Sequence, residues 1–137
     1  GTIGPDFTGG TADDRAGSLV RINPATNTVD KTLPMTASEH HMKLVINGDK
    51  KRFYYLNGTD GYQGKICTYS IFDPGLSNTP LVPISFYGLG VGPKTGDLYC
   101  GFTPDFSQAG TMYRYSSSGN NLGSKATGIA PNGFVSY

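Results

Sequence analysis

Apolar and polar residues alternate in short runs along most of this chain, and each run ends in a stretch rich in Gly, Pro, Asn, Asp or Ser. The segment that starts at Gly17, for example, reads GSLVRI and is followed by NPATN. Alternation over about four to eight residues is typical of a β-strand with one buried face, and the polar stretches are typical of turns. No part of the chain repeats apolar residues at the three- and four-residue spacing of a helix. The pattern therefore predicts an all-β protein.

The runs recur with a long period. Gly17, Gly64 and Gly110 begin three similar runs that are 47 and 46 residues apart. Further matched pairs, 45 residues apart, are Leu44 with Leu89 and Tyr54 with Tyr99. Four short strands in a period of this size are typical of one blade of a β-propeller. A β-sandwich does not explain so long a repeat, and the coil of a β-solenoid would be shorter.

We label the predicted strands a to d in their order within a blade. The a runs are residues 42–46, 87–91 and 133–137. The b runs are residues 52–57 and 97–102, and the c runs are residues 18–22, 65–71 and 111–115. The d runs are residues 28–33, 80–84 and 121–126. Pro80 and Pro83 suit an outer edge strand, because proline cannot donate a hydrogen bond to a neighbouring strand.

The order of the runs predicts a segment of about three blades, each a four-stranded antiparallel sheet. Residues 1–34 would end one blade, residues 35–84 would form a second, residues 85–128 a third, and residues 129–137 a closing inner strand. A propeller typically has about four to eight blades. We therefore expect either further blades or a second copy of the chain to close the ring, since an open row would leave strand edges exposed.

Composition and charge reduce the range of functions expected for this chain. The formal net charge is +1 and only 15% of the residues are charged, so no basic surface for nucleic acid is expected. No apolar run approaches the roughly 18 residues of a membrane-spanning helix. Cys67 and Cys100 are interpreted as free strand residues rather than as a disulfide. Neither cysteine has another Cys or a His at the spacing of metal ligands.

The candidate binding residues lie in the links that an up-and-down blade places at one end, namely the b–c and d–a links. We expect the longer loops at this end and short turns at the other. Each b–c link carries an Asp closely followed by an aromatic residue, and the first link has an insert of charged residues. The candidate residues are Asp6, Phe7, Asp13, Asp14, Arg15, His40, His41, Asp60, Tyr62, Asp105 and Phe106. The alternative is that each Asp caps its own loop as an Asx-turn while the aromatic ring packs beneath it.

Catalytic motifs are not recognisable. Adjacent residues of a strand point to opposite sides, so His40 and His41 are poorly placed to hold one metal ion together. The Gly-rich stretch 88–92 lies in a predicted strand with no helix after it, which argues against a dinucleotide site. We expect no cofactor. Asn57, Gly58 and Thr59 fit the sequon for N-glycosylation.

Three functions stay open from the residues alone. The first is a non-catalytic propeller that binds a small molecule at the loop end. The second is an enzyme of the lyase or lactonase kind, with a metal ion or a histidine at the centre of the ring. The third is a structural or protein-interaction module at a surface.

Several stretches carry a family resemblance over essentially the whole chain. They are GSLVRINPATNTVDKTL from Gly17, YGLGVGPKTGDLYCGF from Tyr87, GTMYRYSSSGNNLGS from Gly110 and GIAPNGF from Gly128. In these stretches the chain resembles the C-terminal part of the YncE-like, or surface-layer-like, seven-bladed β-propeller proteins of Bacteroidetes. That family is related to surface lipoproteins that capture cobalamin and pass it to a TonB-dependent transporter of the outer membrane.

The resemblance implies a non-catalytic binder at the bacterial outer-membrane surface, with the periplasm as the second choice. It also implies a corrinoid or similar nutrient as the ligand and an outer-membrane transporter as a partner. The family's cobalamin contacts do not map residue by residue onto this chain. The candidate binding residues above therefore rest on loop position and residue type.

Overall fold

The computed structural model describes residues 12, 15–36, 39–59, 61–77 and 79–135. Within these residues there are ten β-strands and no helix, and all paired strands are antiparallel. The strands form one sheet of two strands and two sheets of four. The predicted all-β class is confirmed.

The first sheet contains β1 (Ser18–Asn23) and β2 (Thr28–Pro34). The second contains β3 (His40–Ile46), β4 (Arg52–Gly58), β5 (Gly64–Ser70) and β6 (Val82–Phe86). The third contains β7 (Gly88–Val91), β8 (Leu98–Phe102), β9 (Ala109–Tyr115) and β10 (Asn121–Ile129). In each four-stranded sheet every strand pairs with the next strand of the chain. This is the up-and-down order expected of propeller blades.

Two predicted strands differ from the structure. The d run predicted at residues 80–84 lies two residues later, as β6. The last residue of the preceding link, Leu81, already donates from its backbone N to the Ile66 carbonyl of β5 at 2.7 Å. The d–a link expected around residues 83–86 is therefore part of a strand, and Tyr87 alone joins β6 to β7. Residues 133–135 of the last a run form no strand, and residues 136–137 lie outside the described residues.

The second sheet is buried on both faces, because neighbouring side chains of a strand point in opposite directions. Tyr54 and Leu56 of β4 join a core with residues of the third sheet, among them Leu98. Tyr55, the residue between them, joins a second core with Leu33 of the first sheet. The three sheets are thus held in a row by two apolar cores, each formed between neighbouring sheets.

The C-terminal residues 131–134 lie against the third sheet over a set of glycines. A Cβ atom on Gly101 would be 1.9 Å from the Pro131 carbonyl oxygen, and one on Gly90 would be 2.7 Å from the Phe134 Cβ. The Phe134 ring also lies near Tyr99, with 6.3 Å between ring centroids. Since Gly101 and Tyr99 alternate with the buried Leu98 and Cys100, this segment covers the opposite face of β8 from the core.

The two cysteines are free strand residues, as predicted, and both are buried. Cys67 lies in β5 and Cys100 in β8, so they belong to different sheets. Burial raises the pKa of Cys67 to about 11 and that of Cys100 to about 12. Both are therefore protonated, poorly reactive core residues at neutral pH.

Candidate functional site

The antiparallel order brings several predicted site residues to one end of the sheets. β3 begins where β4 ends, so His40 pairs with Gly58 and His41 with Asn57. The link 59–63, which carries Tyr62, and the link 103–108, which carries Asp105 and Phe106, lie at this same end. We call this end of the second and third sheets the loop end.

Three aromatic rings form a cluster at the loop end. Tyr62 and Phe106 meet edge to face with 6.5 Å between ring centroids, and Tyr87 and Phe106 meet in the same way at 5.1 Å. Tyr62 is 61% exposed and Phe106 is 53% exposed. We refer to Tyr62, Tyr87 and Phe106 as the aromatic cluster, and it joins links of two different sheets.

Asp105 holds the shape of the loop that presents Phe106. Its Oδ1 accepts hydrogen bonds from Ser107 N at 2.8 Å, Ser107 Oγ at 2.8 Å and Gln108 N at 2.7 Å. Its Oδ2 accepts one from Gln108 Nε2 at 2.6 Å. These bonds, led by that from the Ser107 backbone, lower the pKa of Asp105 to about 2. Asp105 thus caps its own loop, as the Asx-turn alternative predicted.

The same alternative is wrong for the ring beside it. Phe106 does not pack beneath its loop, since more than half of the side chain is exposed. The neighbouring loop is tied to it by a hydrogen bond from Gln63 Nε2 to the Thr103 carbonyl at 3.3 Å. The two links therefore contact each other, while Tyr62 and Phe106 are both more than half exposed.

Three hydrogen-bonded polar residues lie at the start of β3. Asn57 Nδ2 donates to Glu39 Oε1 at 2.6 Å, and Thr36 donates to Glu39 Oε2 from its backbone N at 3.1 Å and from its Oγ1. Burial tends to raise the pKa of Glu39, but these hydrogen bonds prevail and lower it. The contact also places the Asn57 amide nitrogen, the atom that glycosylation of the sequon would modify, against a carboxylate.

Of the two predicted histidines, His41 is the one with an aromatic contact and a shifted pKa. Its ring lies on Tyr55, with 4.6 Å between centroids and 34° between planes. Burial lowers the pKa of His41 to about 4, against the opposing effect of the Glu39 charge. The imidazole is therefore neutral at pH 7. His40 is buried and points to the other side of β3.

The remaining predicted residues are Arg15 and five residues for which the structure gives no placement. Arg15 is exposed and precedes β1. Asp6, Phe7, Asp13, Asp14 and Asp60 lie outside the described residues. Their proposed part in ligand binding stays a prediction.

The expected difference in loop length between the two ends is wrong for the described links. The longest of these, residues 71–81, lies at the opposite end from the aromatic cluster. Its last residue, Leu81, hydrogen-bonds to Ile66 of β5 just before β6 begins. The loop end is therefore defined by its position at the ends of β4 and β8, and not by longer loops than those at the opposite end.

Sequence reasoning missed Tyr87, Glu39 and Asn57. The predicted a run places Tyr87 in a strand, whereas in the structure it is the single residue between β6 and β7 and its ring contacts Phe106. Asn57 sits opposite His41 in the β3–β4 register. Asn57 could have been identified from the sequence, because the predicted a and b runs already place Asn57 and His41 near the same end of the sheet.

Within the ranges described above, no group of three or more His, Cys, Asp or Glu side chains is arranged to hold a metal ion. A search of the same ranges finds no helix long and apolar enough to cross a membrane. No protein-family model matches the chain, and no curated protein matches it either.

Proposed function

We propose that this protein is a non-catalytic binding module that takes up a flat small molecule on the aromatic cluster. The observation that carries the proposal is the joint exposure of Tyr62 and Phe106, which are 61% and 53% exposed although they contact each other. Aromatic rings held by two neighbouring loops offer apolar area at little cost in conformational entropy. Ligand sites commonly combine such surface with a few fixed polar groups.

A corrinoid is the specific ligand we propose, on the resemblance to cobalamin-capturing surface proteins. Its broad ring system would lie on Phe106 and Tyr62, and peripheral polar groups would reach nearby loop atoms. The same resemblance supports a location at the bacterial outer-membrane surface and a TonB-dependent transporter as the partner. Both are proposals that depend on this resemblance.

Completion of the ring by further blades or by a second copy is part of this proposal. Its support is the first sheet, in which β1 pairs with β2 alone among the described strands. Val20, Ile22 and Val29 of this sheet are 50%, 56% and 57% exposed. Strand edges and apolar side chains of this kind are normally covered in a stable protein.

Calorimetric titration of the protein with cyanocobalamin tests whether a corrinoid is the ligand. Phe106→Ala and Tyr62→Ala should each weaken binding about fivefold to tenfold, since an aromatic contact contributes roughly 1 kcal/mol. Phe72→Ala is the matched control, because Phe72 is 76% exposed but belongs to link 71–81 at the opposite end.

The outcomes separate the parts of the proposal. Saturable binding that Phe106→Ala weakens and Phe72→Ala leaves unchanged supports the site and the ligand. If neither cyanocobalamin nor another corrinoid binds, the proposal that the ligand is a corrinoid is rejected. Equal affinity of the Phe106→Ala variant and the unchanged protein rejects the aromatic cluster as the site. Binding to a partner protein alone would favour an interaction module instead.

A further inference from the structure

An open groove lies beside β1, between the first and second sheets. It has two chambers of about 120 and 210 Å³, which share Leu19 of β1 and Leu44 of β3 in their walls. Phe53 lines the smaller chamber, and Tyr55 lines the larger. Leu44 is 51% exposed, so apolar surface in the groove is in contact with solvent. We call the two chambers the β1 groove.

The sequence repeat indicates what covers the corresponding place in the second sheet. Gly17 and Gly64 begin equivalent runs, so β1 corresponds to β5. β5 pairs with β6 on one edge and with β4 on the other. β1 pairs with β2 on one edge, and no described strand pairs with its other edge. The open place beside β1 is therefore that of a strand equivalent to β4.

β4 fills the space between the second and third sheets. Its Tyr54 and Leu56 are fully buried in the core that these two sheets share. Tyr54 lies opposite Thr68 of β5, and Leu56 lies opposite Ile66. A strand equivalent to β4 would likewise place two large side chains, separated by one residue, between the first and second sheets. The β1 groove lies in that space.

The repeat also gives the register of such a strand on β1. The residues that correspond to Ile66 and Thr68, 47 positions earlier, are Leu19 and Arg21. Leu19 lines both chambers, and Arg21 lines the smaller one. Side chains opposite these two residues would therefore enter the groove. An apolar cavity of about 150 Å³ can hold a benzene ring, so each chamber is of a size to receive one large side chain.

The third sheet indicates which side chain belongs opposite Arg21. Arg114 of β9 is the equivalent of Arg21 in the third run, and it pairs with Tyr99 of β8. Tyr99 is in turn the equivalent of Tyr54, so both described strands of this kind carry tyrosine at the same place. A guanidinium group is attracted to the face of an aromatic ring. We therefore expect tyrosine opposite Arg21.

We infer that the β1 groove is the docking site for a strand of a separate polypeptide, which pairs antiparallel with β1 and places Tyr opposite Arg21 and Leu opposite Leu19. In strand addition of this kind, main-chain hydrogen bonds supply affinity and side-chain pockets supply specificity. The inference rests on the ring completion in the proposed function, for which it names the register and the side chains of the partner.

Two other sources of the strand are less suitable. In a second copy of the chain, β4 and β8 would each already be paired on both edges. Residues 1–17, which precede β1, contain neither Tyr nor Leu. A separate polypeptide therefore fits the groove best.

Fluorescence anisotropy of a labelled synthetic peptide tests this inference. The probe contains residues 53–57, FYYLN, flanked by serines, and the control peptide carries Tyr54→Ser and Leu56→Ser. The probe should bind saturably and about tenfold more tightly than the control, because its two large side chains become buried. Phe106→Ala in the protein should leave the affinity for the probe unchanged, since Phe106 belongs to the aromatic cluster.

Leu44→Asp is the variant that tests the groove itself. It places a charge in an apolar wall and should weaken binding of the probe about tenfold or more. Leu122→Asp is the matched control, because Leu122 is also 51% exposed but lies in β10 of the third sheet. In the unchanged protein, backbone amides within residues 18–22 should exchange hydrogen more slowly once the probe is bound.

Four results would overturn the inference. They are no saturable binding of the probe, equal affinity for the two peptides, equal affinity of Leu44→Asp and Leu122→Asp for the probe, and a dimer in ultracentrifugation that Leu44→Asp dissociates, since a second copy would then occupy the groove. Should Leu44→Asp fail to fold, the hydrogen exchange of residues 18–22 decides, and unchanged exchange rejects the site. Binding of cyanocobalamin without binding of the probe would reject this inference alone and leave the aromatic cluster as a site.

Discussion

Replacing Gly101 with alanine tests whether residues 131–134 are part of the folded structure of the third sheet. The new Cβ would lie 1.9 Å from the Pro131 carbonyl oxygen and 2.8 Å from its carbonyl carbon, both backbone atoms. Ordinary contacts begin near 3.4 Å, so the segment would have to move by about 1.5 Å. No side-chain rotation can relieve this clash. Overpacking of this kind typically costs about 1–3 kcal/mol.

Urea unfolding of the Gly101→Ala variant measures this cost as a lower midpoint at an unchanged slope. Gly128→Ala is the matched control, because no atom lies within 4 Å of the position that its Cβ would occupy. In the control we expect a gain of about 0.4–1 kcal/mol from reduced freedom of the unfolded chain. Digestion with carboxypeptidase should also trim Gly101→Ala faster, since the segment is displaced. Equal midpoints and equal digestion rates for the two variants would refute the packing of residues 131–134 on Gly101.

Two further predictions concern titratable groups. The folded-state pKa of His41 is about 4, below the ordinary value of 6.5, so the unfolded chain binds its proton first as the pH falls. The stability that the neutral ring supplies should thus be complete above pH 6.5 and be lost between pH 6.5 and 4. The melting temperature should therefore fall less steeply over this pH range for His41→Phe than for the unchanged protein. An equally steep fall for both proteins would contradict the lowered pKa of His41. Cys67 and Cys100, both buried with raised pKa values, should react with a thiol reagent only at the rate of unfolding. Rapid labelling under native conditions would show that one of the cores is open.

Much of the fold could be predicted from local pattern. A strand with one or two buried faces imposes alternation on its own residues, so nearly all of the ten strands lie close to the predicted runs. The repeat of 45–47 residues predicted the consecutive pairing of β3 to β6 and of β7 to β10. Strand direction then placed His41, Tyr62 and Phe106 at one end, because consecutive antiparallel strands must turn at alternate ends.

Other features depended on contacts between residues that are distant in the chain. β6 begins two residues later than predicted, and its pairing with β5 shifts register between Lys65 and Ile66. The aromatic cluster exists because the third sheet packs on the second, which brings Phe106 to Tyr62 and Tyr87. Neither fact is encoded in the spacing of the residues involved.

The sequence by itself thus determined the class of fold, the order of the strands and the end of the sheets at which His41, Tyr62 and Phe106 lie. The tertiary structure alone decided which groups meet there: Asn57 with Glu39, and His41 with Tyr55. It also decided that residues 131–134 lie over Gly101. The physical reason is that alternation and turns are set by neighbours in the chain, whereas close approach and hydrogen bonding across sheets are set by packing over the whole domain.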